Sequence, residues 1–296
     1  MKNIAVLTNC QGEVIKNILK EHLKDNVTFF DVPLVHTIAQ DEIKKDEVLQ
    51  LLNDADLIIT QPLGNYFTSI SLKNIKEKLD KNLFVFPSIY FQGYNPEMFY
   101  FKNLNGFSNL DFPAHYHDLV IFIGYMKKLT KKQLVDIFYD DDFYYSDILK
   151  KMFDDSILTL QEYELECDLS VSSIIENNKT KKLFYTCNHP TTDLLNYVSR
   201  NILDYLDYTG TFTPAQTALD WIRYPSYASV AKFYGYDFES MYHINGREFS
   251  REEMIEQYFD FYDSRSDTEL EYNLNYIMNS RGGIYKIIGD FMREKF

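Results

Sequence analysis

The sequence predicts an α/β fold: a three-layer sandwich with a mostly parallel sheet of about five strands, a helical insertion and a helical C-terminal extension. Two observations carry the prediction. Over roughly the first ninety residues, short β-branched apolar runs alternate with segments whose apolar residues recur at helical spacing, the rhythm of βαβ units. After a loop-rich and then helical middle, one more strand-then-helix pair returns near Leu183.

Asn3–Thr8 (NIAVLT) reads as the first strand, and Glu13–Leu23 follows with Val14, Ile15, Ile18, Leu19 and Leu23 on one helical stripe. Val27–Val32 is the second strand and Asp41–Leu52 the second helix. Asp56–Thr60 (DLIIT) is the third strand, Leu72–Leu79 a helix, and Leu83–Phe86 the fourth strand. Crossovers between parallel strands are right-handed. From about Pro87 to Lys182 the sequence is aromatic and then helical, with helices expected over Thr130–Tyr139 and Tyr145–Phe153 and room for one or two more in Ser156–Asn177. Leu183–Cys187 is the fifth strand. Asn188-His189-Pro190 ends it, with Pro190 suited to the first helical position before the long helix Thr191–Leu206. Further on, Ser250-Arg251-Glu252-Glu253 has the form of a capping box, opening a helix through about Tyr262. The expected division is an α/β domain over 1–208, with its helical insertion at about 100–182, and a mainly helical extension over 209–296 packed on it.

The chain carries 30 Lys+Arg against 44 Asp+Glu, a net charge of −14, which argues against nucleic acid as a partner because that needs a basic footprint. Three cysteines are too few for a disulfide framework and point to a reducing compartment. The N-terminus has neither the apolar run of a secretory signal nor that of a membrane span, so a cytoplasmic protein without membrane insertion is expected. The 24 Tyr and 23 Phe predict aromatic interiors and clefts.

In an open parallel sheet, ligands bind beyond the carboxyl ends of the strands. Those ends deliver Asn9-Cys10-Gln11-Gly12, Gln61-Pro62, Pro87-Ser88-Ile89-Tyr90 and Asn188-His189-Pro190. Cys10 stands between a buried strand and a helix, where free N–H groups and the positive end of the helix dipole favour a thiolate. Asn9 and Gln11 are candidate oxyanion donors, although a cysteine after a strand is also an ordinary core residue. His189 is the candidate base, or a brace for its turn. The third group of such a constellation is open between Asp193 and Asp118. The cluster His115-Tyr116-His117-Asp118 lacks a ligand set of metal-site spacing and reads as a loop or a pocket wall, so no metal is expected. The aromatic stretch Pro87–Phe101, broken by Gly93 and Pro96, could stack on a base, line an acyl channel or plug the sheet. No GxGxxG or Walker pattern occurs.

Taken together, Asn9-Cys10-Gln11, Gln61-Pro62, the run from Pro87 through Glu97 and Asn188-His189-Pro190 resemble, in order and spacing, the WcbI-type polysaccharide-biosynthesis acetyltransferase family over residues 3–206. The family looks like a cysteine variant of the SGNH-hydrolase architecture. The resemblance implies a cytoplasmic enzyme that binds coenzyme A and transfers acetyl from acetyl-CoA to a hydroxyl of a sugar, nucleotide-sugar or glycan in capsule or surface-polysaccharide assembly, with glycan-assembly enzymes as possible contacts. It makes Cys10 the nucleophile and His189 the base. Asn9, Gln11, Gln61, Ser88, Tyr90, Gly93, Tyr94, His117 and Asn188 become the oxyanion and substrate-binding candidates. Thr186 stands where the SGNH pattern has an aspartate, so a Cys-His pair is the claim carried forward. The rival readings are a cysteine esterase or deacetylase on the same fold, and a glycan- or nucleotide-binding module without chemistry. An anionic protein that binds anionic CoA must gather cations around the cleft at Cys10.

Overall fold

The structure, a computed structural model, describes residues 2–102, 104, 116–280 and 283–295. Its elements in chain order are β1 (Lys2–Leu7), α1 (Cys10–Leu23), β2 (Val27–Phe29), α2 (Val35–Ile38), α3 (Glu42–Asn53), β3 (Leu57–Thr60), α4 (Leu72–Lys78), β4 (Asn82–Val85), β5 (Met98–Tyr100) and β6 (Tyr116–Asp118). There follow α5 (Leu119–Met126), α6 (Lys131–Tyr139), α7 (Ser146–Glu164), α8 (Ser172–Asn177), β7 (Phe184–Thr186), β8 (His189–Pro190) and α9 (Thr192–Tyr205). The remainder holds β9 (Ile222–Arg223), α10 (Ala228–Tyr234), β10 (Tyr242–Ile244), β11 (Arg247–Phe249), α11 (Arg251–Asp263), α12 (Asp267–Asn279) and α13 (Gly283–Lys295). The chain divides into two compact units. One comprises Met1–Tyr90, Ile157–Asn178 and Asn188–Asp220; the other comprises Phe91–Ser156, Lys179–Cys187 and Trp221–Phe296.

The first unit is built on a parallel sheet of order β2-β1-β3-β4. The strands are apolar on both faces, as a sheet covered by helices requires. Ala5, Leu7 and Ile58 pack with Val35, Val48, Leu52, Ile70 and Ile75 under α2, α3 and α4. With right-handed crossovers, α1 covers the other face, where it packs against α9. The register pairs Leu7 with Thr60 and Thr60 with Val85, so the three strands end level with one another. The order reverses between β1 and β3, which makes that pair the switch point of the sheet.

Four strands are present where five were expected. Phe184–Thr186 does form a strand, but it is not part of this sheet. The outer edge of β4 is occupied instead by Asp168: its carboxylate accepts the Val85 N–H at 2.6 Å, and its own N–H donates to the Val85 carbonyl at 2.7 Å. One residue thus takes both hydrogen bonds that a fifth strand would make there. Other boundaries also moved. α1 starts at Cys10 because Asn9 Oδ1 accepts from the Gln11 N–H at 2.9 Å, an N-cap three residues earlier than predicted. α7 runs unbroken where two helices were expected, since Lys150–Asp154 and Lys151–Asp155 pairs span the join at i,i+4. Pro190 lies in β8, two residues before α9 rather than at its first position.

The second unit contains α5, α6, α10 and α11–α13, with an antiparallel β5–β6 pair and a three-stranded antiparallel sheet β11-β10-β9 that hydropathy did not reveal. β10 and β11 join through Asn245-Gly246, both at positive φ (52° and 80°), the backbone of a tight hairpin turn. The predicted capping box is present: Ser250 and Glu253 exchange side-chain hydrogen bonds at the start of α11. Many of the aromatic residues fill this unit's interior. Tyr94, for example, packs against Phe91, Phe184, Tyr234 and Tyr236.

At its centre lies a buried ion pair. Arg251 Nη1 sits 2.8 Å from Asp118 Oδ2, with the Tyr227 and Tyr242 hydroxyls completing the cluster. Burial, followed by the negative charge of Asp118, pushes the buried Glu97 carboxyl up to about 8. The folded chain therefore keeps a proton that the unfolded chain releases in the ordinary carboxylate range, and stability falls as pH rises from about 5 through about 8. Urea unfolding across that range should show this decline in the wild type. In Glu97→Gln the Glu97 contribution disappears and the curve flattens.

Candidate functional site

The level ends of β1, β3 and β4 bring the predicted strand-end residues together, and the fastening is made by two buried glutamines. Gln11 is fully buried and its side-chain amide is fully used. Nε2 donates to the Ile89 carbonyl at 2.7 Å and to the Asn188 carbonyl at 2.9 Å. Oε1 accepts from the Ile89 N–H at 3.1 Å and from Gln61 Nε2 at 3.0 Å. Gln61 Oε1 in turn accepts the Asn9 N–H at 3.1 Å. Four segments of the chain, 9–11, 61, 89 and 188, are thus tied through one carboxamide pair at the switch point. Gly12 allows the close approach of α1 to the end of β1: a Cβ there would lie 1.6 Å from Thr8 Oγ1.

Beside this knot opens a cavity of about 440 Å³, lined by Asn9, Val35, Gln61, Pro62, Leu63, Phe67, Ser88, Tyr90 and Tyr163. Asn9, Gln61, Ser88 and Tyr90 were read from strand ends. Leu63 follows β3 and Val35 follows β2, so the same rule reached as far as their neighbours. Tyr163, far away on α7, left no signal in the sequence. No lysine or arginine is among these residues, so the cations expected around the cleft are not gathered at this cavity.

Cys10 is the first residue of α1 and is half-buried. Burial raises its thiol above the ordinary value, against the opposing pull of the Cys10 and Gln11 backbone N–H groups, which favour the thiolate. Desolvation wins over the helix N-terminus, contrary to the thiolate expected from position alone. Cys167 is pushed up to about 12, by burial first and then by the charges of Glu164, Asp168 and Glu166. Cys187 is buried, with the Tyr100 hydroxyl 3.8 Å from its sulfur.

His189 is 2% exposed, and burial lowers its imidazole to about 4 against the upward effect of a hydrogen bond with the Leu219 backbone. It is therefore neutral at physiological pH. The Asn188 carbonyl, held by Gln11, immediately precedes it.

Gly93, Tyr94 and His117 belong to the second unit and are buried in its interior. Gly93 has no room for a Cβ against Phe91 and Tyr234, and the Tyr94 hydroxyl donates to the Lys181 carbonyl. His117 Nδ1 lies 3.0 Å from the Tyr262 hydroxyl, among Phe99, Phe101, Tyr258 and Phe261. Asp118 is committed to Arg251. His115 lies outside the described residues. Among the described residues no group of three His, Cys, Asp or Glu could hold a metal, and no helix is long and apolar enough to cross a membrane.

The polysaccharide biosynthesis enzyme WcbI family matches residues 3–211, which include every segment of the glutamine knot. The chain belongs to this family. It is an enzyme family of polysaccharide biosynthesis, and the match confirms the resemblance seen in the strand-end motifs. A solved structure of WcbI superposes with a TM-score of 0.78 at 17% identity, covering 98% of this chain and 99% of that one, so the two share a fold. That structure is described as the native protein without a disulfide bond between CoA and one of its cysteines. Among curated proteins none matches.

Two titrations follow from the burial of the pair. Alkylation of Cys10 by iodoacetamide should keep accelerating beyond pH 9 rather than levelling off near neutrality. Because the lowered imidazole stays unprotonated until pH falls through about 4, the His189 ring signals followed by NMR should show no titration step near 6.5. A step at 6.5 would contradict the burial of His189.

Proposed function

We propose that the protein is a CoA-dependent acetyltransferase that moves an acetyl group from acetyl-CoA to a sugar hydroxyl in polysaccharide biosynthesis, with Cys10 and His189 as the reacting pair. One observation carries the pairing: Gln11, the residue after the cysteine, holds the carbonyl of Asn188, the residue before the histidine, at 2.9 Å. The family supports the biosynthetic role, and the WcbI structure, described by the absence of a disulfide bond between CoA and one of its cysteines, supports CoA as the ligand.

Both groups rest neutral, so the proton moves as the new bond forms. In the covalent route, His189 takes the Cys10 thiol proton while the sulfur attacks the acetyl carbonyl carbon. The carbon–sulfur bond to CoA breaks, and the departing CoA thiolate receives the proton from His189. The sugar hydroxyl then gives its proton to His189 and attacks the Cys10 thioester, and the Cys10 thiol is restored. Thioester exchange is nearly isoenergetic. In the direct route, His189 takes the proton of the sugar hydroxyl as its oxygen attacks the acetyl carbon of acetyl-CoA; the carbon–sulfur bond breaks and the departing CoA thiolate receives that proton from His189.

Gln11 is fully engaged and serves as a positioning residue rather than an oxyanion donor. Asn9 uses its carbonyl oxygen as the helix cap, and its amide nitrogen is the candidate donor to the oxyanion. The cavity lining carries no charged side chain, which suits the acyl group and the uncharged arm of CoA better than its phosphates.

Incubation with acetyl-CoA, followed by intact mass and CoA release with and without sugars, tests the reading. The covalent route predicts an adduct of one acetyl group that is absent in Cys10→Ala. His189→Ala should slow transfer roughly 10²–10⁴-fold, the usual worth of a general base. Absence of CoA binding by calorimetry would contradict the transferase reading, and CoA release independent of any sugar would favour the esterase.

A further inference from the structure

The segment 207–219 joins α9 to the end of the first unit and contains no helix or strand, yet it is fastened at several points. Tyr208 N–H donates to the Leu203 carbonyl at 3.0 Å. His22 on α1 stacks on Phe212 (centroids 5.0 Å apart, 16° between planes), meets Tyr208 edge-on, and accepts the Thr213 N–H on Nε2 at 2.9 Å. Asn196 on α9 holds both backbone groups of Ala215, accepting its N–H at 2.9 Å and donating to its carbonyl at 3.1 Å. The strap ends at Ala218 and Leu219, both buried.

Leu219 has a φ of +52°. That region is natural for glycine and, to a lesser degree, asparagine. For a bulky residue it is an outlier held in place by its surroundings, and such outliers concentrate at functional sites. Here the outlier coincides with a contact to the chemistry, because the Leu219 backbone is hydrogen-bonded to the His189 imidazole.

We infer that the strap 207–219 is a positioning device for His189, and that the left-handed backbone of Leu219, fixed by the fastenings at His22 and Asn196, sets the orientation of the imidazole. The inference rests on His189 being the general base proposed above. It supplies an orienting group from the main chain in a chain that has Thr186 where the SGNH pattern has a carboxylate. An orienting group of this kind fixes which ring nitrogen carries the proton.

Leu219→Ile and Leu219→Gly separate a backbone role from a packing role. Isoleucine keeps the apolar volume but opposes positive φ; glycine removes the side chain but accepts that φ freely. Two readouts apply: the ¹⁵N shifts and pH titration of the His189 ring, and the split between kcat and KM in acetyl transfer. In Leu219→Ile the ring signals should move, and kcat should fall roughly 10- to 100-fold, as small misplacements of a reacting group do, with KM for acetyl-CoA little changed. Leu219→Gly should resemble the wild type in both.

Wild-type ring signals in Leu219→Ile, or equal impairment in Leu219→Gly, would overturn the inference. Should Leu219→Ile fail to fold, Asn196→Ala reads the same quantity by unfastening the strap at Ala215, and unmoved His189 signals would overturn the inference there too. If the wild type binds no CoA, the acetyl-transfer reading fails, while the ring signals still decide whether Leu219 orients His189.

Discussion

The carboxamide of Gln11 is the interaction on which the site depends. It is buried, and each of its hydrogen-bonding positions is used: two donors on carbonyls of distant segments and an oxygen shared between a backbone N–H and a second glutamine. A net gain of about 1 kcal/mol per bond understates its importance. Removing the amide would strand several buried polar groups at once, each costing about 1–3 kcal/mol. No apolar side chain could replace it, because the ends of parallel strands present backbone groups that lack a ladder partner. A primary amide, with two donors and a two-fold acceptor, satisfies such a set from a single side chain.

From that constraint the arrangement of the chemistry follows. The switch point between β1 and β3 supplies a place where α1 can begin directly behind the sheet. Asn9 caps the helix and Cys10 becomes its first residue. The same amide that closes the knot on Ile89 also holds Asn188, so the turn bearing His189 is fixed to the turn bearing Cys10. Burial then sets the protonation of each group: it raises the Cys10 thiol and lowers the His189 imidazole, so both rest neutral. The strap ending at Leu219 adds a constraint on the imidazole from the other side of the chain order.

Much of the first unit was legible in the sequence because each strand is a short β-branched run followed by a helix with a clear apolar stripe. The strand-end rule picked out Asn9, Gln61, Ser88, Tyr90 and Asn188, all of which reach the knot or the cavity. It could not say what the glutamines do. A polar residue at a strand end looks alike whether it faces a substrate or a backbone carbonyl, so Gln11 was read as an oxyanion donor. The fifth strand was misplaced because apolar periodicity does not reveal which edge a strand joins, and a lone Asp168 has no pattern at all. Gly93, Tyr94 and His117 stand out in the sequence as pocket candidates because aromatic density marks clefts and cores equally, and all three are buried in the second unit. Strain at Leu219 is invisible in sequence, since leucine advertises negative φ.

The central claim is that Gln11 holds the strand ends together, and hydrogen exchange at the Ile89 amide tests it most directly, since that N–H donates to Gln11 Oε1 and to nothing else in the knot. In Gln11→Met the Ile89 amide should lose at least about tenfold in protection, equivalent to one net buried hydrogen bond of about 1.4 kcal/mol, while the amides of β3 and β4 within the sheet keep theirs relative to global stability. Unchanged protection at Ile89 in a folded Gln11→Met protein would contradict the claim.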